Sequence, residues 1–426
     1  AGSRTGAEKN LSMRQALEVW LDCDLAPLRQ VGLLSHDRGT VWFEYAAAWL
    51  NNPLAFQIDP DLRLGEGPIY TNADTGSFGI FLDSAPDRWG QTLMKRRELL
   101  QAKDEGRTAR KLYAWDFLQG VQDITRQGAL RFRPAGAERF VADDARAAPP
   151  VTSLGELAEV ARELTRRDRD DLDQLRRWLA VLVAPGASLG GARPKANFVE
   201  GDGALWIAKF PAYRDDRDMG AWEYLAWTLA RQAGVVMPLA KRIQLGATGY
   251  HSFCVQRFDR EAGHRRFYAS AMTLIGAQDT ADGVHSYLEL AQFLADHGDP
   301  ARIDADLAQL FRRVAFNVAV GNRDDHLRNH GFMLGKQGWR LAPAFDVNPN
   351  TDKEAHVLNL DEADNRPSLV TVLATADYYR LKATAAKAIL QEVRSVVRQW
   401  ETAAKRLGLP VEERLEMAGA FAASEE

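Results

Sequence analysis

Short strand-like and longer helix-like patterns succeed one another in the first 150 residues. β-Branched and aromatic side chains fill the run Thr40–Tyr45, which predicts a strand. A basic stretch over 87–111 has the composition of a helix. Turn-rich segments separate these patterns, so we interpret residues 13–150 as one α+β unit.

The segment 142–150 separates this unit from the rest of the chain. Its residues are small or charged, and it ends in Pro149 and Pro150, which is the composition of an interdomain connection. We therefore expect two domains, at residues 1–150 and 151–426.

Helical periodicity dominates the second part. Ser153 followed by Glu156 has the spacing of a capping box before an apolar-periodic run, which predicts a helix that reaches about residue 167. A strand over 204–210 is followed by a helix over 219–233. Further helices are predicted over 172–183, 286–295, 304–320 and 382–407. The expected fold class is α+β, with an α/β amino-terminal subdomain and a helix-rich carboxy-terminal part.

Composition is that of a globular chain and restricts its chemistry. Of the 426 residues, 46% are hydrophobic and 26% are charged, which leaves little room for extensive disorder. The formal charge of −4 provides no overall attraction to nucleic acid, although a local patch can still bind it. Cys23 and Cys254 are the two cysteines, so neither a disulfide framework nor a cysteine zinc site can form within one chain.

Hydropathy adds an expectation about location. No apolar run approaches the roughly 18 to 20 residues of a membrane span, and the polar start lacks the apolar segment of a secretion signal. With so few cysteines, these features favour a cytoplasmic protein that does not associate with membranes.

The segment 321–334 carries the densest set of ionisable and hydrogen-bonding side chains. It follows an apolar helical pattern and leads into a strand pattern. Asp324 and Asn329 lie five positions apart, the spacing between the base aspartate and the metal-binding asparagine of the protein-kinase catalytic loop. A predicted hairpin over 331–342 would return Asp346 to the side of Asn329.

These residues predict a phosphotransfer site. A nucleotide polyphosphate needs Mg²⁺, which prefers carboxylate and amide oxygens, and Asp346 and Asn329 supply one of each. Asp324 would orient the attacking hydroxyl and accept its proton. Lys209 on the predicted strand would hold the nucleotide phosphates, and Glu223 on the following helix could pair with that lysine.

Two other interpretations of the segment stay open. His326 and His330 have the i, i+4 spacing of zinc-binding helices, so a metallohydrolase cluster with the adjacent aspartates is one alternative, although the bracketing glycines favour a loop. A purely structural turn, in which the aspartates cap the local backbone, is the other. The glycine-rich stretch 186–195 matches neither common nucleotide-binding glycine pattern and is a weak signal.

Several ordered blocks resemble the HipA family of serine/threonine kinase toxins from bacterial toxin–antitoxin systems. They are SLGGARPK (188–195), WIAKFP (206–211), QRFDR (256–260), GNRDDHLRNHGF (321–332) and PAFDVNP (343–349). The resemblance reaches the first part of the chain through FLDSAPDRWG (81–90), so it covers most of the sequence. It implies that the carboxy-terminal part is kinase-like.

The resemblance also implies roles in catalysis. Asp324 resembles the catalytic aspartate of the family, and Asn329 and Asp346 resemble its magnesium ligands. Lys209 resembles the lysine that contacts the phosphates of ATP.

Further positions are implied to bind the nucleotide or to regulate the enzyme. Gln256 and Phe258 fall where the family's hinge meets adenine, and Asp259 falls where a carboxylate can reach the ribose. Ser188 falls on the serine that family members autophosphorylate, a modification that ejects the glycine-rich loop and stops the kinase. Lys195 falls on the lysine of the same loop.

The leading hypothesis is therefore a serine/threonine protein kinase that transfers the γ-phosphate of ATP to a host protein. In the family, known targets include aminoacyl-tRNA synthetases. A HipB-like, DNA-binding antitoxin would neutralise the kinase, and operator DNA would be reached only indirectly, through the antitoxin complex. Two alternatives remain: a small-molecule phosphotransferase with the same metal ligands, and a non-catalytic nucleotide-binding corepressor.

Overall fold

The structure is a computed structural model that describes most of the chain. The described residues are 14–71, 76–143, 148–149, 151–166, 179, 193–246, 249–278 and 282–425. Among them, no helix is both long enough and apolar enough to cross a membrane.

An antiparallel sheet with the order β4-β3-β2-β1-β5 organises the amino-terminal part. Its strands are β1 (Gln15–Cys23), β2 (Ala26–Asp37), β3 (Thr40–Tyr45), β4 (Ile69–Tyr70) and β5 (Leu130–Pro134). Leu17, Val19 and Leu21 alternate along β1 and are all buried, as expected for a strand with one covered face. The helices between these strands are α1 (Ala47–Leu50), α2 (Gly79–Asp83), α3 (Arg88–Asp104) and α4 (Ala114–Gly120).

A second antiparallel sheet, with the order β6-β7-β9-β8, lies in the carboxy-terminal part. Its strands are β6 (Lys195–Val199), β7 (Leu205–Lys209), β8 (Ala240–Gln244) and β9 (His251–Gln256), and the accompanying helices are α5 (Leu154–Leu164) and α6 (Met219–Gln232). All five residues of β7 are buried. Helix α6 packs closely on β9, because a Cβ atom at Gly220 would lie 2.0 Å from the carbonyl oxygen of His251.

Mainly helical structure follows, with small sheets at its edge. The helices are α7 (Ala271–Leu274), α8 (Tyr287–His297), α9 (Ile303–Ala319), α10 (Leu369–Ala374), α11 (Ala383–Val397), α12 (Trp400–Arg406) and α13 (Val411–Met417). The strands are β10 (Arg260–Glu261), β11 (His264–Arg265), β12 (Tyr268–Ser270), β13 (Gly331–Leu334) and β14 (Trp339–Leu341). Short 3₁₀ helices span Val151–Ser153, Leu327–Asn329, Ala376–Tyr379 and Ala418–Ser424. Helix α9 is buried throughout its last two turns and forms the centre of this helical core.

The two predicted parts share a hydrophobic core. Trp89 and Leu93 of α3 belong to the same buried cluster as Phe198 and Trp206 of the second sheet. The Nζ atom of Lys195 lies 2.7 Å from a carboxylate oxygen of Asp87, the residue that caps α3. The boundary at residue 150 stays a prediction, but contacts of this kind argue for parts that fold against each other.

The structure confirms the α+β fold class and most of the predicted elements, with three corrections. The predicted helix 382–407 is two helices, α11 and α12. The helix predicted over 87–111 ends at Asp104. The capping box of Ser153 is not formed, because that residue ends a 3₁₀ turn with helical φ and ψ angles of −87° and −3° and makes no side-chain cap. The helix predicted over 172–183 lies, except for Leu179, outside the described residues.

Candidate active site

Three ionisable side chains meet where β7, α6 and the segment after β14 converge. The Nζ atom of Lys209, the last residue of β7, lies 2.5 Å from Oε1 of Glu223 and 2.6 Å from Oδ1 of Asp346. The lysine and Glu223 side chains are 8% and 6% exposed, so this contact is shielded from water. The strand lysine and helix glutamate that the sequence paired by analogy are therefore in contact.

Burial and charge shift the pKa values of this trio in different directions. Burial alone would raise the pKa of Asp346, but the ammonium groups of Lys209 and Lys195 outweigh it and lower the pKa to about 2. Burial raises the pKa of Glu223, and the attraction of Lys209 offsets this only in part. Burial opposes the charge on Lys209, yet the two carboxylates raise its pKa above the ordinary value. Lys209 and Asp346 are therefore both charged at neutral pH.

A buried polar network holds the loop that carries Asp324 and Asn329. One carboxylate oxygen of Asp325 accepts hydrogen bonds from Tyr287 OH at 2.6 Å and Asn317 Nδ2 at 2.7 Å, and His330 Nε2 lies 2.7 Å away. Asp325 thus fixes the loop, while Asp324 beside it is 61% exposed.

The zinc-site interpretation finds no support in this geometry. Residues 327–329 form a 3₁₀ turn, so His326 and His330 do not share the face of an α-helix. Within the described residues, no three His, Cys, Asp or Glu side chains are grouped to hold a metal ion.

Asn329 has the environment expected of a side chain that binds a cation. Its side chain is buried, its Nδ2 donates to the carbonyl oxygen of Asp324 at 3.5 Å, and its Oδ1 has no hydrogen-bond partner in the described structure. A buried oxygen without a partner is costly unless a ligand satisfies it. Asp346, with a strained φ of 56°, supplies a carboxylate at the same cavity, so the donor set fits Mg²⁺.

Two cavities meet at the lysine–carboxylate trio. The first is mostly apolar, and its walls include Ile207, Val255, Phe345 and the predicted hinge residues Gln256 and Phe258. The ring of Phe258 stacks on Phe345 with centroids 5.6 Å apart. The apolar lining of this cavity suits a purine ring.

The second cavity is lined mainly by polar and charged residues, among them the loop residues. Asp324, Asn329 and Asp346 line it, and Lys209, Glu223 and Asp346 line both cavities. A ligand with an apolar ring at one end and phosphates at the other would therefore pass Lys209 at the junction.

Two sequence-predicted residues, Asp259 and Lys195, do not line either cavity, and a third is not described. Asp259 is 1% exposed, contacts Arg257 at 2.5 Å and accepts from Gly128 N at 2.8 Å, so its carboxylate is used in packing and does not line either cavity. Lys195 lies opposite Lys209 in the sheet but is paired with Asp87. Ser188 lies outside the described residues, so its role stays a prediction.

The polar cavity also contains residues that the sequence analysis did not select. Arg193 and Arg217 line it, Asn322 accepts from the backbone of Asn348, and Asn348 donates to Asp346 at 3.2 Å. Arg193 and Asn348 fall inside the blocks SLGGARPK and PAFDVNP, so the family resemblance could have indicated both residues.

Comparison with known protein families identifies the family of this chain. Residues 187–400 match the HipA-like C-terminal domain, and residues 17–115 match the HipA N-terminal domain. The chain belongs to the HipA family.

Relatives of this HipA-family chain carry kinase names. It is 26% identical over 359 residues to the candidate kinase Y4mE of Sinorhizobium fredii, covering 78% of this chain and 77% of that one. It is 25% identical over 195 residues to the serine/threonine-protein kinase toxin HipA of Shewanella oneidensis, covering 38% of this chain and 43% of the relative.

A solved structure confirms the HipA fold. The structure of Shewanella oneidensis HipA, solved in a complex with HipB and operator DNA, superimposes with a TM-score of 0.65 and 18% identity. The match covers 96% of this chain and 95% of that one.

Proposed function

We propose that this HipA-family chain is an ATP- and magnesium-dependent protein kinase. The observation that carries the proposal is the trio of Lys209, Glu223 and Asp346 at the junction between an apolar cavity and a polar one. The first cavity has the character of an adenine site. The second has the carboxylate, amide and cationic groups that a polyphosphate and its metal ion need.

Mg²⁺ would be held by Asp346 and the unpartnered Oδ1 of Asn329. When bound, the ion supplies positive charge that neutralises the phosphates. Lys209 then orients the nucleotide phosphates, and Glu223 fixes the lysine ammonium through the 2.5 Å contact. Gln256 and Phe258 would border the ring in the apolar cavity.

The acceptor hydroxyl would meet Asp324 at the open end of the site. This aspartate is 61% exposed, so a serine or threonine on the surface of another protein can reach it. Its carboxylate orients the hydroxyl and accepts its proton as the phosphoryl group is transferred. The exposure of Asp324 favours a protein acceptor over a metabolite enclosed in a pocket.

The biological setting that we propose follows the family. The kinase acts as a cytoplasmic toxin on a host protein such as an aminoacyl-tRNA synthetase, and a HipB-like antitoxin binds it and links it to operator DNA. Autophosphorylation of Ser188 would add charge to its loop and stop the enzyme.

The test is incubation with ATP and Mg²⁺ followed by mass spectrometry of the chain and of a bacterial lysate. We expect phosphate on Ser188 and on a small set of lysate proteins, all absent with Asp324→Ala. Phosphate on lysate proteins without phosphate on Ser188 would contradict the autoregulation alone. Phosphorylation of an added metabolite in place of any protein would support the small-molecule alternative.

Expression in a host that lacks the antitoxin tests the toxin assignment. We expect wild-type protein to arrest growth and Asp324→Ala protein to have no effect. Equal arrest by both proteins would show that toxicity does not come from phosphotransfer and would favour the corepressor alternative.

A further inference from the structure

A lysine from the segment that follows Asp346 contacts the proposed catalytic aspartate. The Nζ atom of Lys353 lies 2.9 Å from Oδ1 of Asp324 and 3.1 Å from Oδ2 of Asp282. Within the ranges that the structure describes, Lys353 is the side chain that contacts the Asp324 carboxylate. The two carboxylates raise the pKa of Lys353, although partial burial opposes this, so the ammonium is charged at neutral pH.

The backbone around Lys353 is fastened to the loop that carries Asp324. Asn350 N donates to the carbonyl oxygen of Gly321 at 2.9 Å, and Asn350 Oδ1 accepts from Lys353 N at 3.1 Å. The carbonyl oxygen of Lys353 accepts from Arg323 Nη1 at 2.7 Å. The segment that carries Lys353 is therefore hydrogen-bonded to Gly321 and Arg323, which precede Asp324 in the loop.

A stabilising role explains this contact poorly. The side chains of Lys353, Asp324 and Asp282 are 33%, 61% and 53% exposed, and ion pairs in contact with water contribute little to folding. A contact that fixes the orientation of an exposed catalytic carboxylate, in contrast, affects the rate directly, because phosphotransfer depends on the alignment of the acceptor.

We propose that Lys353 is a positioning residue for phosphotransfer and acts through Asp324. Its ammonium holds Oδ1 of Asp324, with Asp282 holding the ammonium from the other side, so that the second carboxylate oxygen is left for the acceptor hydroxyl. This inference rests on the proposed kinase function.

The first test measures transfer from γ-labelled ATP into lysate proteins by the full chain at varied ATP concentration. Lys353→Met should lower the maximal rate by about 10- to 100-fold while the ATP concentration for half-maximal rate stays within about twofold. Lys353→Arg keeps the charge and should recover most of the rate. Lys405→Met, which removes an exposed lysine paired with Glu401, is the matched control and should behave as wild type.

The second test is a double-mutant cycle with Asp324→Asn. If Lys353 acts through Asp324, Lys353→Met should change the residual rate of Asp324→Asn by less than about twofold, so the two effects are not additive. Thermal unfolding of each variant should match that of wild type, which excludes misfolding as the cause.

The outcomes separate this inference from the proposed function. An active wild type with an equally active Lys353→Met, or fully additive effects in the cycle, would overturn the role of Lys353 alone. A rise in the half-maximal ATP concentration with an unchanged maximal rate would also overturn it. A wild type that binds ATP but transfers no phosphate would overturn the kinase function and this inference with it.

Discussion

At the scale of single residues, the site depends on one buried cation shared by two carboxylates. Lys209 contacts Glu223 and Asp346 at nearly equal distances, so it neutralises one charge while the other is left to an incoming cation. Burial raises the pKa of Glu223 and the lysine offsets this only in part, whereas the ammonium groups of Lys209 and Lys195 outweigh burial and lower the pKa of Asp346. A magnesium ion at Asp346 and Asn329 would complete the balance.

This balance predicts a stability effect. Lys209→Met should lower the free energy of unfolding by about 3 to 5 kcal/mol, because it removes the ammonium that the buried Glu223 carboxylate and the partly buried Asp346 carboxylate share. Removal of the ammonium raises the pKa values of both carboxylates in the folded state, so the loss should be smaller at about pH 5 than at about pH 8. Adding Glu223→Gln to Lys209→Met should recover part of the lost stability, because it removes one of the two carboxylate charges. Urea unfolding of the wild type, Lys209→Met and the double variant at both pH values measures these free energies. An unchanged stability of Lys209→Met would contradict the prediction.

Single residues also show what a sequence can and cannot indicate about a site. The five-residue spacing of Asp324 and Asn329 predicted a shared site, and both residues line the same cavity because the turn between them is local. The ribose role of Asp259 has no support from its position, since its carboxylate is held by Arg257 and Arg260. Both arginines lie within two positions of Asp259 in the sequence. Their contact with its carboxylate depends on tertiary packing, which the sequence does not specify.

At the scale of elements, the carboxy-terminal segment packs against the loop that carries Asp324. Gly321 has a φ of +64°, and a Cβ atom there would lie 2.3 Å from the carbonyl oxygen of Ala420. Arg323 Nη2 donates to the carbonyl oxygen of Gly419 at 3.3 Å, and Trp222 Nε1 donates to Glu413 at 2.8 Å. The last helices therefore contact both the loop and α6, which carries Glu223.

Gly321→Ala tests this contact. The substitution introduces left-handed strain and a collision with backbone, so we expect the unfolding free energy to fall by about 1 to 3 kcal/mol and the phosphotransfer rate to fall as well. Gly408 is a matched control, because it has a φ of +79° but no atom within 4 Å of a Cβ position. Gly408→Ala should cost stability without loss of rate at low temperature. Equal rates for the two variants would contradict a role of this contact in phosphotransfer.

Elements were predicted better than their contacts. Local patterns located β7, α6, α9 and the β13–β14 hairpin, because burial periodicity and turn residues act within a few positions. The break between α11 and α12 was missed, since the apolar periodicity continues through it. The close approach of Gly321 to Ala420 joins positions almost 100 residues apart, which no local pattern specifies.

At the scale of the whole molecule, the two parts are joined by packing and by buried ion pairs. Helix α3 of the first part packs on the sheet that carries Lys209, and Asp87 holds Lys195 on the strand beside it. Arg257 at the hinge donates to Asn197 and to the carbonyl oxygen of Thr125. The amino-terminal part thus packs against the sheet that carries the proposed nucleotide site, an arrangement that neither the composition nor the proline-containing connection indicated.

The most direct measurement of the central claim is transfer of label from γ-labelled ATP to protein, with Mg²⁺ present or chelated. We predict Mg²⁺-dependent transfer by wild type, a loss of at least about 100-fold in Asn329→Leu and Asp346→Asn, and normal transfer by Asp304→Asn, whose side chain is 83% exposed. Transfer that survives chelation, or that persists in both ligand variants, would contradict the account of this site.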